Sequence, residues 1–434
     1  MEFFNRDSEI AKLQEIEKSS KNIAQMSVIV GRRRIGKTTL LKKVYSDALY
    51  LFVSKKNEAL LCAEFLERVK AKFDVRIIGD ITRFSQLFEY LLELSTTKHF
   101  TLIIDEFQEF RYINNSIYSD MQNLWDSYKD KSKINLVLSG SIYSMMKKIF
   151  ESSKEPLFGR ANHKIELKPF SVLTLKEILA TYYPAFTNND LLRFYILTGG
   201  VAKYVEIFVD SKAFSLDSQL DLIFGEYSLF LDEGKNLLIE EFGKEYTTYF
   251  SILSLIASSK TSRTEIESIL EKNIGGYLDR LENEYRVIQK IKPIFAKEGS
   301  RSVKYKITDN FFNFWFRFIY KYRSAVELEN FDYLKDIFKR DYETYSGLFL
   351  ESYFHQKLQL SKEYSQIGNY WERGNQNEID IVAINELKQK ALIAEVKRNP
   401  KKIDINKLKQ KSSKLVQKLK GFEIEYRGFS LSDM

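Results

Sequence analysis

The chain has 434 residues, enough for about two to four domains, and its 44% hydrophobic and 14% aromatic content can build real cores while 29% charged residues argue against wholesale disorder. No run approaches about 18 uncharged apolar residues, so no transmembrane helix is expected, and the opening MEFFNRDSEI lacks the pattern of a secretory signal. One cysteine, Cys62, fits a reducing cytosol, and with His99, His163 and His355 far apart it leaves no Cys/His metal spacing, so the expectation is a cytoplasmic chain.

Phe4-Asn5-Arg6-Asp7-Ser8-Glu9 precedes an amphipathic pattern and predicts a helix start with Asp7 or Ser8 as cap. MSVIV at 26–30 predicts a short buried strand. Gly31-Arg32-Arg33-Arg34-Ile35-Gly36-Lys37-Thr38 follows, and then the helical TTLLKKV. This is G-x-x-x-x-G-K-[ST] between strand and helix, the context a P-loop requires. Its expected nucleotide-binding residues are Gly31, Arg34, Ile35, Gly36, Lys37, Thr38 and Thr39. The glycines let backbone N–H groups turn toward phosphate oxygens, Lys37 reaches the β- and γ-phosphates, and the Thr38 hydroxyl ligates Mg²⁺.

Phe-Thr-Leu-Ile-Ile-Asp-Glu at 100–106 supplies the second strand that a P-loop implies. Asp105 at its carboxyl end would hold Mg²⁺, and Glu106 would polarise the attacking water. A third strand at 134–138 ends in Ser139-Gly140-Ser141, where Ser139 or Ser141 is placed to sense the γ-phosphate. Arg160, in a loop after a helix, is a candidate to neutralise charge developing on the γ-phosphate, in cis or from a neighbouring subunit.

Together FFNRDSEIAKL, GRRRIGKTTLL, TLIIDEFQEF, LVLSGSIYSMM, EPLFGR and LKPFSVLTLKE resemble the archaeal-type ATPase family, related to the AAA+ and STAND NTPases. The resemblance implies ATP and Mg²⁺ as cofactors and an adenine pocket that includes Asn5 and Arg6. It also implies Arg160 as arginine finger or sensor, and a helical lid with a G-G-x-P-x-Y motif. Here the motif reads Gly199-Gly200-Val201-Ala202-Lys203-Tyr204, with Ala202 in the place of Pro. By itself Gly199-Gly200 reads as a helix break.

Farther on, YTTYFSILSLIA at 246–257, two short helical patterns at 261–270 and 274–284, and two strands at 286–293 and 302–308 spell a winged helix. The third helix exposes Asp279, Glu282 and Glu284, which argues against insertion into a DNA major groove. The wing carries Lys290, Lys292, Lys297, Arg301, Lys304 and Lys306, so phosphate contact by the wing and a structural or protein-contact module both remain as readings. FFNFWFRFIYKY at 311–322 has eight aromatics in twelve positions and reads as a core helix with Arg317 and Lys321 on its wet side.

The last hundred residues predict a helix at 346–360 containing Glu351, then strands at 366–371, 378–384 and 391–397. Alternation puts Glu378 and Asp380 on one face and Glu395 and Lys397 on one face. Such a grouping suits a metal-dependent phosphodiesterase: Asp380 and Glu395 would bind Mg²⁺, and Lys397 would orient water or stabilise the phosphate. The pattern resembles the PD-(D/E)xK nuclease superfamily, and YWERGNQNEIDIVAI…ALIAEVK resembles the uncharacterised domain (DUF234) that commonly follows this ATPase. Such domains also occur as binders that do not cut.

The net charge is +8, yet residues 388–420 alone hold twelve Lys or Arg against two acids. A DNA partner is therefore sought at this carboxyl-terminal segment, where Ile405, Leu408, Leu415, Val416 and Leu419 mark an apolar helical face. The expected fold class is α/β, divided into a P-loop ATPase core (1–168), a helical lid (169–240), a winged-helix domain (241–325) and a restriction-endonuclease-like, PD-(D/E)xK domain (326–434). The expected function is an ATP-hydrolysing AAA+-type protein that gates a nuclease-like DNA-processing or defence domain. The alternative is a STAND-type signalling switch whose carboxyl-terminal domain only binds. A homo-oligomer is an open expectation, and no membrane partner is expected.

Overall fold

Short apolar runs are what a parallel sheet covered on both faces demands, and in residues 5–168 five strands pair side by side, apolar except for the edge strand HKIE at 163–166. They are β1 (Gln25–Val30), β2 (Leu49–Phe52), β3 (Phe100–Asp105), β4 (Ile134–Gly140) and β5 (His163–Glu166), all parallel, in the order β2-β3-β4-β1-β5. Every residue of β3 and β4 is buried. The computed structural model describes residues 1–75, 79–300 and 302–434. Contacts divide these into two units, residues 5–168 and residues 1–4 with 169–434.

In the first unit, α1 (Asp7–Ser20) precedes β1, and α2 (Lys37–Val44) follows the P-loop. The cap expected at Asp7 or Ser8 is not formed. Arg6 is the N-cap residue, in a left-handed conformation with no side-chain cap bond, and the Ser8 hydroxyl donates instead to Glu9. α3 (Ile117–Tyr128) lies between β3 and β4 in sequence.

The second unit begins with α4 (Val172–Tyr182), α5 (Asn188–Thr198) and α6 (Ala202–Asp210). Ser171 caps α4, and Thr187 and Asp190 form a reciprocal capping box on α5. The break between α5 and α6 is built by Gly199 and Gly200, at φ 57° and 71°. A Cβ on Gly200 would sit 2.4 Å from the Phe170 carbonyl oxygen, so this turn admits only glycine.

Next come α7 (Tyr246–Ala257), α8 (Arg263–Leu270) and α9 (Gly275–Asp279), with a π-helical turn at Arg280–Glu284. The antiparallel hairpin β6 (Ile288–Ile291) and β7 (Lys304–Ile307) follows. Arg301 lies outside the described residues. The aromatic segment is a core element, as its composition demands: Phe311, Phe312, Phe314, Trp315, Phe316 and Phe318 are buried, while Arg317 pairs with Asp341. It is not one regular helix, because Trp315–Ile319 is a π-helical turn.

The helix expected at 346–360 is part of a longer α10 (Phe331–Ser361). After it stands a mixed four-stranded sheet, β8 (Gln366–Glu372), β9 (Gln376–Asn385), β10 (Lys390–Lys397) and β11 (Glu423–Ser430), in the order β11-β10-β9-β8. β10 pairs antiparallel with β9 and parallel with β11. The basic segment folds as two short helices, α11 (Ile405–Lys411) and α12 (Ser413–Lys418), which bury Leu408 and Leu415, with Leu419 buried just beyond. No helix among the described residues is long and apolar enough to cross a membrane.

Candidate functional site

The first site lies at the carboxyl ends of β1, β3 and β4, where parallel sheets of this kind place their ligands. Gly36 at φ 94° turns the chain into α2, whose N-terminus has no side-chain cap. A helix start in this condition is an anion site, because its first N–H groups and its dipole both face outward. Arg34 is exposed on the loop, Thr39 is exposed in the first turn of α2, and Ile35 is buried.

Lys37 is 7% exposed, and its Nζ donates to the carbonyls of Gly31 at 2.6 Å and Arg32 at 3.2 Å. Burial pushes its pKa down to about 8, against the pull of Glu106 and Asp105. The ammonium thus donates to uncharged loop carbonyls, and a phosphate would offer it a charged acceptor.

Asp105 is buried, and its Oδ2 accepts from Thr38 Oγ1 at 2.8 Å and from Tyr50 Oη at 2.7 Å. Burial, then the hydrogen bond to Asp105 and its charge, raises the Tyr50 pKa, which keeps the phenol a donor. Hydroxyl and carboxylate side by side form the oxygen-rich donor set that Mg²⁺ takes together with substrate phosphates, so Thr38 and Asp105 fit that ion. Glu106 follows in a left-handed conformation, φ 53°. Its Oε2 accepts from Gln108 Nε2 at 2.5 Å and Ser141 Oγ at 2.7 Å. Of the two serines left open by the sequence, Ser141 therefore touches the acid, while Ser139 Oγ is buried with no hydrogen-bond partner among the described residues.

Asn5 and Arg6 are both left-handed, at φ 55° and 85°. The Asn5 side chain accepts from the Arg6 N–H at 2.6 Å, and Arg6 Nη2 donates to the Lys168 carbonyl at 2.7 Å. Leu167 N–H in turn donates to Val30 at the end of β1. This chain of bonds ties Asn5 and Arg6 to the strand that launches the P-loop. Arg160 is held elsewhere: its Nη2 is 3.0 Å from Asp126 Oδ2 on α3, and its Nη1 donates to the Phe158 carbonyl.

The second site lies in the mixed sheet. The pairing of β8 with β9 shifts twice, between Gly368 and Tyr370 and between Tyr370 and Glu372. Such bulges re-aim side chains. Asp380 Oδ2 accepts from the Val396 N–H at 2.8 Å and lies 3.2 Å from Lys397 Nζ. Lys397 Nζ is also 3.4 Å from Glu395 Oε1, which Lys411 Nζ approaches to 3.3 Å. Burial opposes the Lys397 charge, but Asp380 and Glu395 outweigh it and hold its pKa above the ordinary value.

Glu351 on α10 faces this cluster. Burial first, then repulsion from Asp380, pushes its pKa up to about 8, partly offset by Lys306 and Lys397. Glu378 does not converge with the others as simple alternation predicts: it is exposed at the rim and pairs with Lys304 at 2.7 Å. Asp380 and Glu395 each keep one oxygen outside the hydrogen bonds formed among the described residues. Two such carboxylates fit a divalent cation that retains waters, although no group of three or more His, Cys, Asp or Glu forms a metal set among the described residues.

Four partners of these residues escape a reading of the sequence. Tyr50 on Asp105, Gln108 on Glu106, Lys411 on Glu395 and Lys306 toward Glu351 are all set by pairing or packing. Only Gln108, two residues from Glu106 in one turn, offers a local signal.

Comparison with known proteins agrees with this geometry. A family of ATPase domains found predominantly in Archaea matches residues 3–208. A family of archaeal and bacterial proteins of unknown function matches residues 315–412. An uncharacterized protein of Methanocaldococcus jannaschii is 31% identical over 429 residues, spanning 95% of this chain and 92% of its own length. Among solved structures, a Walker-type ATPase of Pyrococcus abyssi superposes with TM-score 0.54 at 18% identity, over 72% of this chain and 96% of its own. The ORC2 protein of Aeropyrum pernix gives TM-score 0.49 at 14% identity over 76% and 95%. With its P-loop at the end of β1 and the acids at the end of β3, the chain belongs to the predominantly archaeal P-loop ATPase family and carries at its carboxyl end the domain of unknown function.

Proposed function

We propose that the chain binds and hydrolyses ATP at the β1–β3–β4 edge and uses nucleotide state to gate a nuclease-like carboxyl-terminal site. In this reading Lys37 and the amides of residues 34–39 hold the phosphates, and Asn5 and Arg6 border the adenine. Thr38 and Asp105 hold Mg²⁺, which would neutralise charge on the β- and γ-phosphates. Glu106, fixed by Ser141 and Gln108, accepts hydrogen bonding from the attacking water and aims it. Arg160 lies in an exposed ion pair with Asp126, a weak tether in water, and is free to serve a γ-phosphate in its own or a neighbouring subunit.

The gated activity is metal-assisted cleavage of a phosphodiester, with DNA as the polyanion. One observation carries it: Asp380 and Glu395, from adjacent strands, both touch Lys397. A divalent cation held by the two acids would polarise the phosphate and acidify a water. Lys397 is placed to stabilise charge on the phosphate, and the lysines of α11 and α12 supply a backbone track. The test is nicking of supercoiled plasmid with Mg²⁺ and ATP. Glu395→Ala should abolish nicking and leave ATP turnover intact, whereas absence of cleavage by the wild type under every nucleotide sinks the nuclease assignment.

A second reading is a STAND-type signalling switch whose carboxyl-terminal domain binds without cutting. It is favoured by the lysines that already occupy Asp380 Oδ2 and Glu395 Oε1.

A further inference from the structure

The hairpin of β6 and β7 reaches the acid site of the mixed sheet. Lys304 pairs with Glu378 at 2.7 Å and stacks over the Trp371 ring at 4.8 Å. Lys306 Nζ donates to the Ser352 hydroxyl, next to Glu351, and its charge counters that of Glu351. Trp371 Nε1 donates to Ser302 Oγ at 2.7 Å, and Ile294 N–H donates to the Asn369 carbonyl at 2.8 Å. Asn369 Nδ2 then donates to the Asp380 carbonyl at 2.7 Å, so the strand that fastens the hairpin also positions Asp380.

Among the described residues, three acids, Glu351, Asp380 and Glu395, thus group together with Glu378 at their rim, and four lysines stand against them. Lys397 and Lys411 belong to the carboxyl-terminal domain, and Lys304 and Lys306 come from the hairpin. Half of the positive charge on the cluster is therefore delivered by an element outside the sheet that carries Asp380 and Glu395. Apart from Ile294, which packs against the core of the mixed sheet, the hairpin is fastened by a few hydrogen bonds and the part-exposed Lys304–Glu378 ion pair, each worth about 0.5–1.5 kcal/mol. Contacts of this size can release.

We propose that the β6–β7 hairpin and a divalent cation compete for this acid cluster, so that the docked hairpin is an autoinhibitory contact on the site. The inference rests on the reading of Asp380 and Glu395 as a cation site. Linkage fixes its form: if the cation weakens hairpin docking, loosening the hairpin strengthens cation binding by the same factor. Hairpin release takes Lys304 and Lys306 away from the acids, so its sign is tighter binding.

The experiment titrates Mn²⁺ into the full-length protein without nucleotide, by calorimetry, and takes the component lost in Glu395→Ala as the site's own. Lys306→Met and Lys304→Met should each lower the Kd of that component about fivefold or more, and Lys306→Arg should leave it as in the wild type. Ser302→Ala loosens the hairpin without altering charge and should also tighten Mn²⁺. In the wild type, Mn²⁺ should speed hydrogen exchange of the amides of Lys304–Ile307. If Lys306→Met does not fold, the Lys304 and Ser302 variants decide the matter. Unchanged or weaker Mn²⁺ binding in these two, with the Glu395-dependent component present, overturns the competition and leaves the cation site standing. Absence of any Glu395-dependent component overturns both.

Discussion

Thr38 Oγ1 donates a 2.8 Å hydrogen bond to Asp105 Oδ2, joining the end of the P-loop to the end of β3. In the proposed reading these two oxygens would hold Mg²⁺. Thr38→Ala removes one of them, so the Mg²⁺ needed for half-maximal ATP turnover should rise about 10–100-fold. Chelation with EDTA should bring wild-type turnover to background. An unchanged Mg²⁺ requirement in Thr38→Ala would place the ion elsewhere.

Glu106 is aimed by Ser141 and Gln108. Glu106→Gln keeps the shape and removes the charge, so turnover should fall about 10²–10⁴-fold while ATP affinity stays within about twofold. Ser141→Ala should cost less, about tenfold, since Gln108 still holds the carboxylate. Single-turnover hydrolysis with a separate binding measurement checks both, and a collapse of affinity would make Glu106 a binding residue instead.

The Lys37 pKa, pushed down to about 8 by burial, has a signed consequence. Between about pH 8 and the unfolded value near 10.4, the unfolded chain holds a proton that the folded apo chain has lost. Stability of the nucleotide-free protein therefore gains from this group as pH rises through that window, by up to about 3 kcal/mol. Below pH 8 both states hold the proton and the contribution is flat. Denaturant melts of wild type and Lys37→Met should diverge in slope only within the window, and parallel curves would contradict the burial of a charged Lys37.

Gly200 has φ 71°, and a Cβ there would lie 2.4 Å from the Phe170 carbonyl oxygen. Gly200→Ala should lose about 1–3 kcal/mol or more. Gly200 lies outside the unit that holds the P-loop, so a thermal melt should show the loss with little change in ATP affinity at 25 °C.

Much of this architecture is written in local pattern. The P-loop spacing, the apolar runs of β1, β3 and β4, and the strands carrying Asp380 and Glu395 are readable because period, glycine placement and terminal acids are properties of short segments. What escaped were events between segments. Arg6 stands at the N-cap position instead of Asp7 or Ser8, and its guanidinium is tied to Lys168, far away in sequence. Glu378 leaves the acid point because β9 is bulged against β8, and a bulge breaks the alternation from which its face was inferred. Tyr50 reaches Asp105 through the pairing of parallel β2 and β3, and Lys306 reaches the Glu351 region through hairpin docking. Except for the bulge, which lies in a tight hairpin, none of these has a signature within about ten residues.

The central claim is that the Gly31–Thr38 loop binds ATP through Lys37. Calorimetric titration of ATP with Mg²⁺ into wild type and Lys37→Ala tests it most directly. Saturable binding is expected in the wild type and a loss of at least about a hundredfold in the variant, because a buried ammonium that meets phosphate is removed. Equal affinity in the two proteins would contradict it.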